Sequence, residues 1–373
     1  MGSFIVSSDR PIVVVGAGPG GSIAASLLAR AGLPTIMIEQ HRFPRDKVCG
    51  ECLSAVGIEV LDRVGARDAV ARLKAVALER AMIHTPNGAT VELQLPSRMW
   101  GVSRRQLDRA LLDHAKTRGV RVIQPARCER IEHNQVVIRD LTSNRVEEIH
   151  TRCVIVADGK GSPTHDLGIK AHFSGVEGPR NAIELFGVDG HYGGLAPVED
   201  EQWNASFSVP AFRVRQFRGD LDAMFAAIVE ENETLRARML RAHRASDWLA
   251  SPLPRSPVAR DWLENQIPVG NAAASLEPIG GEGMGLAMRS AELAAHEIIA
   301  AHRAKRAIDI VSLRRAYRDL WCVRSLACRV AAMIVSRPWL ANFLAGAIDG
   351  REALPRAIMR FIGKGRGASM SNG

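Results

Sequence analysis

Two glycine clusters stand where a chain could hold a phosphate-bearing ligand. Gly16-Ala17-Gly18-Pro19-Gly20-Gly21 follows the β-branched run Ile12 to Val15 and opens a small, apolar stretch. Glycines at these positions permit a tight strand-to-helix turn, close approach of backbone to a pyrophosphate, and close packing of helix on strand. The free amides and the helix dipole then favour negative charge at that point. Glu39 ends the next β-branched run about twenty residues on, where a carboxylate accepts both hydroxyls of a ribose, and Gln40 adjoins it. The second cluster is Gly270-Asn271-Ala272-Ala273, followed by Glu277-Pro278-Ile279-Gly280-Gly281-Glu282-Gly283-Met284-Gly285. Gly281 and Gly283 leave the backbone bare where a helix begins, so its amides can meet a ligand carbonyl and stabilise charge developing there. Cys49-x-x-Cys52 has the spacing of a redox pair or half a zinc site. Cys128, Cys153, Cys322 and Cys328 supply no matching second pair, so no metal is expected; inert thiols are the leading reading of Cys49 and Cys52, with a redox pair as the alternative.

These residues need particular elements to position them. Pro11 to Val15 reads as a buried parallel strand, Gly20 to Ala31 as a helix capped by Gly32, and Thr35 to Ile38 as a second strand. Together they form one βαβ unit. Residues 54 to 72 read as helical. Leu73 to Val102 reads as a hairpin turning at Pro86-Asn87-Gly88. Ser103 to Arg118 reads as a capped amphipathic helix, and Val154 to Val156 as a strand ending at Ala157-Asp158-Gly159. Residues 170 to 218 alternate like a second sheet, Asp220 to Arg241 reads as one helix, Ser251 to Pro257 as a proline-rich connector, and Gln266 to Val269 as a strand. From Gly283 onward the chain reads as helical, down to a disordered Gly/Ser/Asn tail.

In this frame the sequence resembles the flavoprotein group of geranylgeranyl reductases, flavin-dependent halogenases and p-hydroxybenzoate hydroxylase-like monooxygenases. Four motifs carry the resemblance, between residue 11 and about residue 300. Besides the N-terminal glycines there is Phe43-Pro44-Arg45-Asp46-Lys47-Val48-Cys49-Gly50-Glu51, similar to the loop along the ribityl chain. Arg104, in Arg104-x-x-Leu107-Asp108, matches an arginine beside the cofactor. Ala157-Asp158-Gly159-x-Gly161-Ser162 matches the second nucleotide motif, and the cluster from Gly270 matches the segment at the ribityl hydroxyls and the ring edge. Asn271 stands where the group usually has aspartate. An amide still hydrogen-bonds a hydroxyl as donor and acceptor, so binding should survive.

The resemblance implies an α/β fold: a Rossmann-type FAD-binding domain, glutathione reductase-like and p-hydroxybenzoate hydroxylase-like, with an inserted β-sheet substrate domain and C-terminal helices. Residues 1–75, 101–170 and 258–300 would bind FAD, residues 76–100 and 171–257 would form the substrate domain, and residues 301–373 a helical extension. The implied cofactor contacts are Gly16, Gly18, Gly20, Gly21, Glu39, Gln40, Arg45, Lys47, Cys49, Gly50, Arg104, Asp158, Gly159, Gly270, Asn271, Pro278, Gly281, Gly283 and Met284. Tyr192, Trp203, Phe207 and Phe212 are the candidate substrate-pocket residues, and Tyr192-Gly193-Gly194 leaves room for a bulky or flat substrate.

The leading expectation is an NADH- or NADPH-reduced monooxygenase, in the manner of secondary metabolism, acting on an apolar aromatic or polyketide-like molecule. A reductase or desaturase acting on a lipid or natural-product double bond comes second, and a non-catalytic flavin binder third. No Gly-Trp-x-Trp-x-Ile-Pro signature is present, which disfavours halogenation. The net charge is +9. Its arginines are scattered with no basic run interleaved with aromatics, which argues against nucleic acid. No apolar run is long enough to span a bilayer, so a cytoplasmic protein is expected, with its basic C-terminal helices admitting a peripheral membrane contact. Neither a catalytic acid or base nor the oligomeric state can be assigned from sequence.

Overall fold

The computed structural model describes residues 10–161 and 163–342. Ile12–Val15 (β1) is buried at every position. It leads through Gly16, at φ +102°, into the helix Pro19–Arg30 (α1) and the strand Thr35–Ile38 (β2). A Cβ at Gly16 would lie 2.4 Å from the Ala157 carbonyl oxygen, and one at Gly21 would lie 1.9 Å from that of Gly16. Those two glycines therefore let three backbones close on one another at the turn. Cys52–Leu53 (β3) precedes two helices, Ala55–Val64 (α2) and Arg67–Ala71 (α3), parted by Gly65 in the left-handed region. The hairpin Val76–His84 (β4) and Thr90–Gly101 (β5) follows. The helix Arg104–Thr117 (α4) comes next, its Ser103 hydroxyl accepting from the Gln106 amide as an N-cap.

Arg121–Ile123 (β6) leads to a three-stranded meander, Ala126–Glu132 (β7), Gln135–Asp140 (β8) and Val146–His150 (β9), and then to Val154–Val156 (β10). Four long strands follow: Pro163–Ser174 (β11), Ala182–Val188 (β12), His191–Pro197 (β13) and Trp203–Pro210 (β14). Three helices, Ala211–Gln216 (α5), Leu221–Glu230 (α6) and Glu233–Met239 (α7), cover the back of these strands. His243–Arg244 (β15), Leu249–Pro254 (β16) and Gln266–Pro268 (β17) lead to the long helices Gly283–Arg303 (α8) and Ile310–Val335 (α9).

Two sheets position the site. The first is parallel, in the order β17-β10-β1-β2-β6, and ends its strands beside the N-terminus of α1. Such strand ends are where open α/β sheets bind ligands. The second has nine strands, in the order β15-β11-β14-β13-β12-β4-β5-β3, with β16 paired to β11. The parallel pairing of β12 with β4 joins the early hairpin to the later strands. Helices α1 and α8 pack the first sheet into the largest apolar core.

The structure differs from the sequence reading at four places. Residues 163–170, expected with the nucleotide part, belong to β11 and hence to the large sheet. Ser251–Pro254, expected as a connector, lies in strand β16 and pairs only with β11; prolines are tolerated there because an edge strand has one side with no ladder to donate to. The helix expected from Asp220 to Arg241 breaks at Asn232, whose side chain accepts from the Leu235 amide and caps α7. Residues 211–216, expected as sheet, form α5. The expected tail and the part of the expected helical stretch beyond residue 342 lie outside the described residues.

Candidate functional site

One cavity of about 930 Å3 runs from the ends of the parallel sheet to the concave face of the large one. That lies within the usual range of ligand pockets. Of the nineteen residues expected to touch a cofactor, eighteen border it; Gly21 does not, because it is packed beneath the turn.

The sheet-end half of the cavity is polar and rich in positive charge. Gly18 caps α1 with no side chain of its own, and a Cβ there would face Arg104 Nη2 at 3.6 Å and Arg45 Nη2 at 4.0 Å. Arg104 is buried and binds Asp108 through two hydrogen bonds, of 2.8 and 2.6 Å. Burial opposes its charge, yet Asp108 holds it firmly protonated. Arg45 reaches the same carboxylate at 3.3 Å, while its buried Nε has no hydrogen-bond partner among the described residues. Burial, then Arg104 and Arg45, pull the Lys47 ammonium down to about 8. Three cations thus converge on one spot, where Asp108 is shared by Arg104 and Arg45. Glu39 lies 4.0 Å from Arg45 Nε, one oxygen accepting from the Ala17 amide and the other from the His41 amide, both at 2.8 Å. Each oxygen keeps a lone pair for a further donor.

Between the halves lies the second glycine cluster. Gly270 has φ +58°, and its amide donates to the Ser290 hydroxyl, which fixes the bend before Asn271. Gly281 is left-handed at φ +64°, and a Cβ at Gly283 would meet nothing within 4 Å. Bare backbone therefore faces the cavity at the start of α8. The Cys49-Gly50 loop lies opposite, tied down by Glu51. This fully buried carboxylate accepts from Lys170 Nζ at 2.5 Å, His172 Nε2 at 2.6 Å and the Arg104 amide at 2.8 Å. Burial pushes the Cys52 thiol far up, which suits an inert side chain and not a redox pair. Among the described residues no cluster could hold a metal ion.

The other half is apolar. Ala81, Ile83, Leu93, Leu95, Ile183 and Leu185 line it from β4, β5 and β12, with Ile183 beside Ala81 and Leu185 beside Ile83 in register. Gly194, Ser206 and Ser208 give this face a floor of small side chains, and α9 closes it through Cys328, Ala331 and Val335. Tyr192 also borders it, and its hydroxyl donates to Glu277 at 2.5 Å.

Of the other three expected pocket aromatics, Phe207 borders the cavity and Trp203 and Phe212 do not. Trp203 is buried in the core behind the sheet and does not line the cavity. Phe212 lies on α5, which follows the strand, and is 58% exposed. Phe207 borders the cavity, but its ring lies over Gly193, where a Cβ would meet it at 1.9 Å, and packs edge-on against Phe225 behind the sheet. Residues 81, 83, 93, 95, 183 and 185 were missed, although their period-two spacing marks a strand face. Glu277 heads the second glycine motif, but nothing local pairs it with Tyr192, so its role was missed.

Residues 9–312 match the family model described as an FAD binding domain. Menaquinone reductase of Mycobacterium tuberculosis is 26% identical over 327 residues, covering 78% of this chain and 76% of that protein. Kynurenine 3-monooxygenase of Xanthomonas campestris is 31% identical over 169 residues, covering 42% of this chain and 37% of that protein. The solved structure of a flavin-dependent brominase superposes with a TM-score of 0.80 at 17% identity, over 95% of this chain and 93% of that one, a likeness of fold alone.

Proposed function

Because the chain belongs to the FAD-binding domain family and is an FAD-dependent oxidoreductase, we propose that it is a monooxygenase, reduced by NADH or NADPH, that hydroxylates an apolar aromatic molecule. The residues fit the cofactor. The Arg45 Nε, which has no hydrogen-bond partner among the described residues, the convergence of Arg45, Lys47 and Arg104, and the bare Gly18 suit a diphosphate, while Glu39 with Gln40 suits a ribose. Asp158, Gly159 and Asn271 border the stretch between, and the loop from Pro278 to Met284 offers its amides to the ring edge. When bound, FAD supplies the exchange of electrons with pyridine nucleotide and oxygen.

The chain's own residues bind, orient and exclude water. The observation that carries the reading is the small-residue floor of Gly194, Ser206 and Ser208, set in an aliphatic wall beside the ring-edge loop. It offers a flat group a place next to the cofactor, and α9 lines that place through Cys328, Ala331 and Val335. Tyr192 and Glu277 are its polar feature nearest that loop.

A second reading is reduction of a double bond in a prenyl-like chain. The aliphatic wall and the menaquinone reductase similarity, which spans most of the chain, support it.

The deciding experiment supplies NADPH or NADH and a panel of alkylated phenols and prenyl lipids under labelled oxygen gas. A product carrying one atom of oxygen from the gas supports the monooxygenase. A product gaining two hydrogens under anaerobic conditions supports the reductase and overturns the first reading.

A further inference from the structure

The apolar half of the cavity ends at one buried carboxylate whose two oxygens are held by different partners. Glu277 immediately precedes the ring-edge loop and is buried. One of its oxygens forms an ion pair with Arg255 Nε at 2.7 Å, and Arg255 Nη2 donates in turn to Asp166 at 2.9 Å. The other accepts from the Tyr192 hydroxyl. Ile83, Ile279, Ala332 and Val335 pack around Tyr192 and fix its ring. A hydroxyl whose proton is committed to a carboxylate can no longer donate to a ligand. Its oxygen keeps lone pairs and, polarised by the carboxylate, becomes a stronger acceptor. The cavity therefore presents an acceptor at the end of an aliphatic wall, where a ligand's hydroxyl hydrogen would be received.

We propose that Tyr192, oriented by Glu277 and Arg255, selects a ligand with a hydroxyl on its flat head and a long aliphatic tail, a long-chain alkylphenol. The hydroxyl donates to the Tyr192 oxygen, the ring lies on the floor of Gly194, Ser206 and Ser208, and the tail follows Ala81, Ile83, Leu93, Leu95, Ile183 and Leu185. The hydrogen bond draws electron density onto the ring, which favours its attack by an electrophile. A ligand with a carbonyl and no hydroxyl gains nothing from Tyr192, since it would compete with Glu277 for a single proton. Burial and then Glu277 push the Tyr192 hydroxyl well above its ordinary value, so it stays protonated and keeps this polarity throughout the working range. The inference rests on reading the apolar half as the substrate end.

The test is equilibrium binding to the FAD-loaded protein without reductant, using 4-nonylphenol and nonylbenzene as matched probes. The wild type should bind the phenol about tenfold more tightly or better, against the greater hydrophobicity of the hydrocarbon. Tyr192→Phe should lose that preference while holding nonylbenzene within about twofold, and Glu277→Gln should lose part of it, because a charged acceptor polarises the hydroxyl more than an amide does. Retained FAD and unchanged nonylbenzene affinity show that a variant is folded. Equal binding of the two probes by the wild type, or a phenol preference that survives Tyr192→Phe, overturns the inference and leaves the apolar cavity standing. Failure of both probes to bind overturns the cavity reading as well.

Discussion

The two halves of the cavity are built in opposite ways. The diphosphate half comes from short stretches of contiguous chain: the turn at Gly16–Gly20, the loop at Arg45–Gly50, and the first turn of α4. It gathers charge, and each charge is legible because its motif fixes both residue type and spacing. The apolar half comes from single residues on alternate positions of five strands and one helix, and it gathers surface area. Its one polar pair joins residues 85 positions apart. A phosphate site must supply donors at set distances, which glycines and arginines do in few ways. An apolar wall can be met by many aliphatic combinations, so its sequence carries a pattern and no signature.

That contrast can be broken at either end. The largest effect is expected at Arg104. Removing it leaves Asp108 buried without its two hydrogen bonds, so Arg104→Met should cost about 3–5 kcal/mol in urea unfolding and abolish FAD binding. Pairing it with Asp108→Leu should restore much of the stability and none of the FAD affinity, as read by flavin fluorescence. If the double variant binds FAD normally, the arginine serves only its carboxylate.

Lys47 should behave in the opposite sense. Its folded value, about 8, lies below the ordinary 10.5. The folded state without cofactor therefore disfavours the charge, and that cost is fully present below pH 8. Stability of the FAD-free protein should rise with pH from about 8 to about 10.5 and level off above. Lys47→Met should thus stabilise the FAD-free protein by about 3 kcal/mol at pH 7, while FAD affinity falls. In the wild type, FAD affinity should decline above pH 8, because binding a diphosphate favours the protonated lysine. A pH-independent affinity would place Lys47 away from the phosphates.

At the apolar end, Gly194→Leu should fill the floor. A Cβ there lies 2.9 Å from the Glu184 carbonyl oxygen, so about 1–3 kcal/mol of stability is lost to overpacking. Turnover of the apolar substrate should fall by roughly tenfold or more, with FAD affinity within about twofold, if the halves are independent. The smallest effect is expected at Cys52, whose thiol donates to the Gly50 carbonyl and is deeply buried. Cys52→Ser should leave turnover within about twofold. A loss of two orders of magnitude would restore the redox pair.

The same contrast explains what could be read beforehand. β1, α1 and β2 were legible because a fully buried run, a glycine turn and a capping glycine agree with one another. The hairpin and α4 were legible from Pro-Asn-Gly and from the Ser103 cap. β16 was not, because Pro252 and Pro254 signal a connector until one knows that the strand lies at a sheet edge. Among Tyr192, Trp203, Phe207 and Phe212, the sequence does not tell which border the cavity and which pack behind it. Which face they occupy depends on the helices packed behind, and those are fixed only by the whole fold. Asp108 stood next to a recognised arginine pattern without a role, since the pattern shows spacing and not that the two side chains meet across one turn.

The most direct test of the account is a titration of nonylbenzene into the FAD-loaded protein, followed by the flavin's visible absorbance. Two ligands in one cavity, the flavin on the charged half and the hydrocarbon on the aliphatic wall, predict a saturable spectral change at one equivalent with FAD retained, and its loss in Gly194→Leu. Displacement of FAD by the hydrocarbon, or saturation binding that leaves the flavin spectrum untouched, would contradict it.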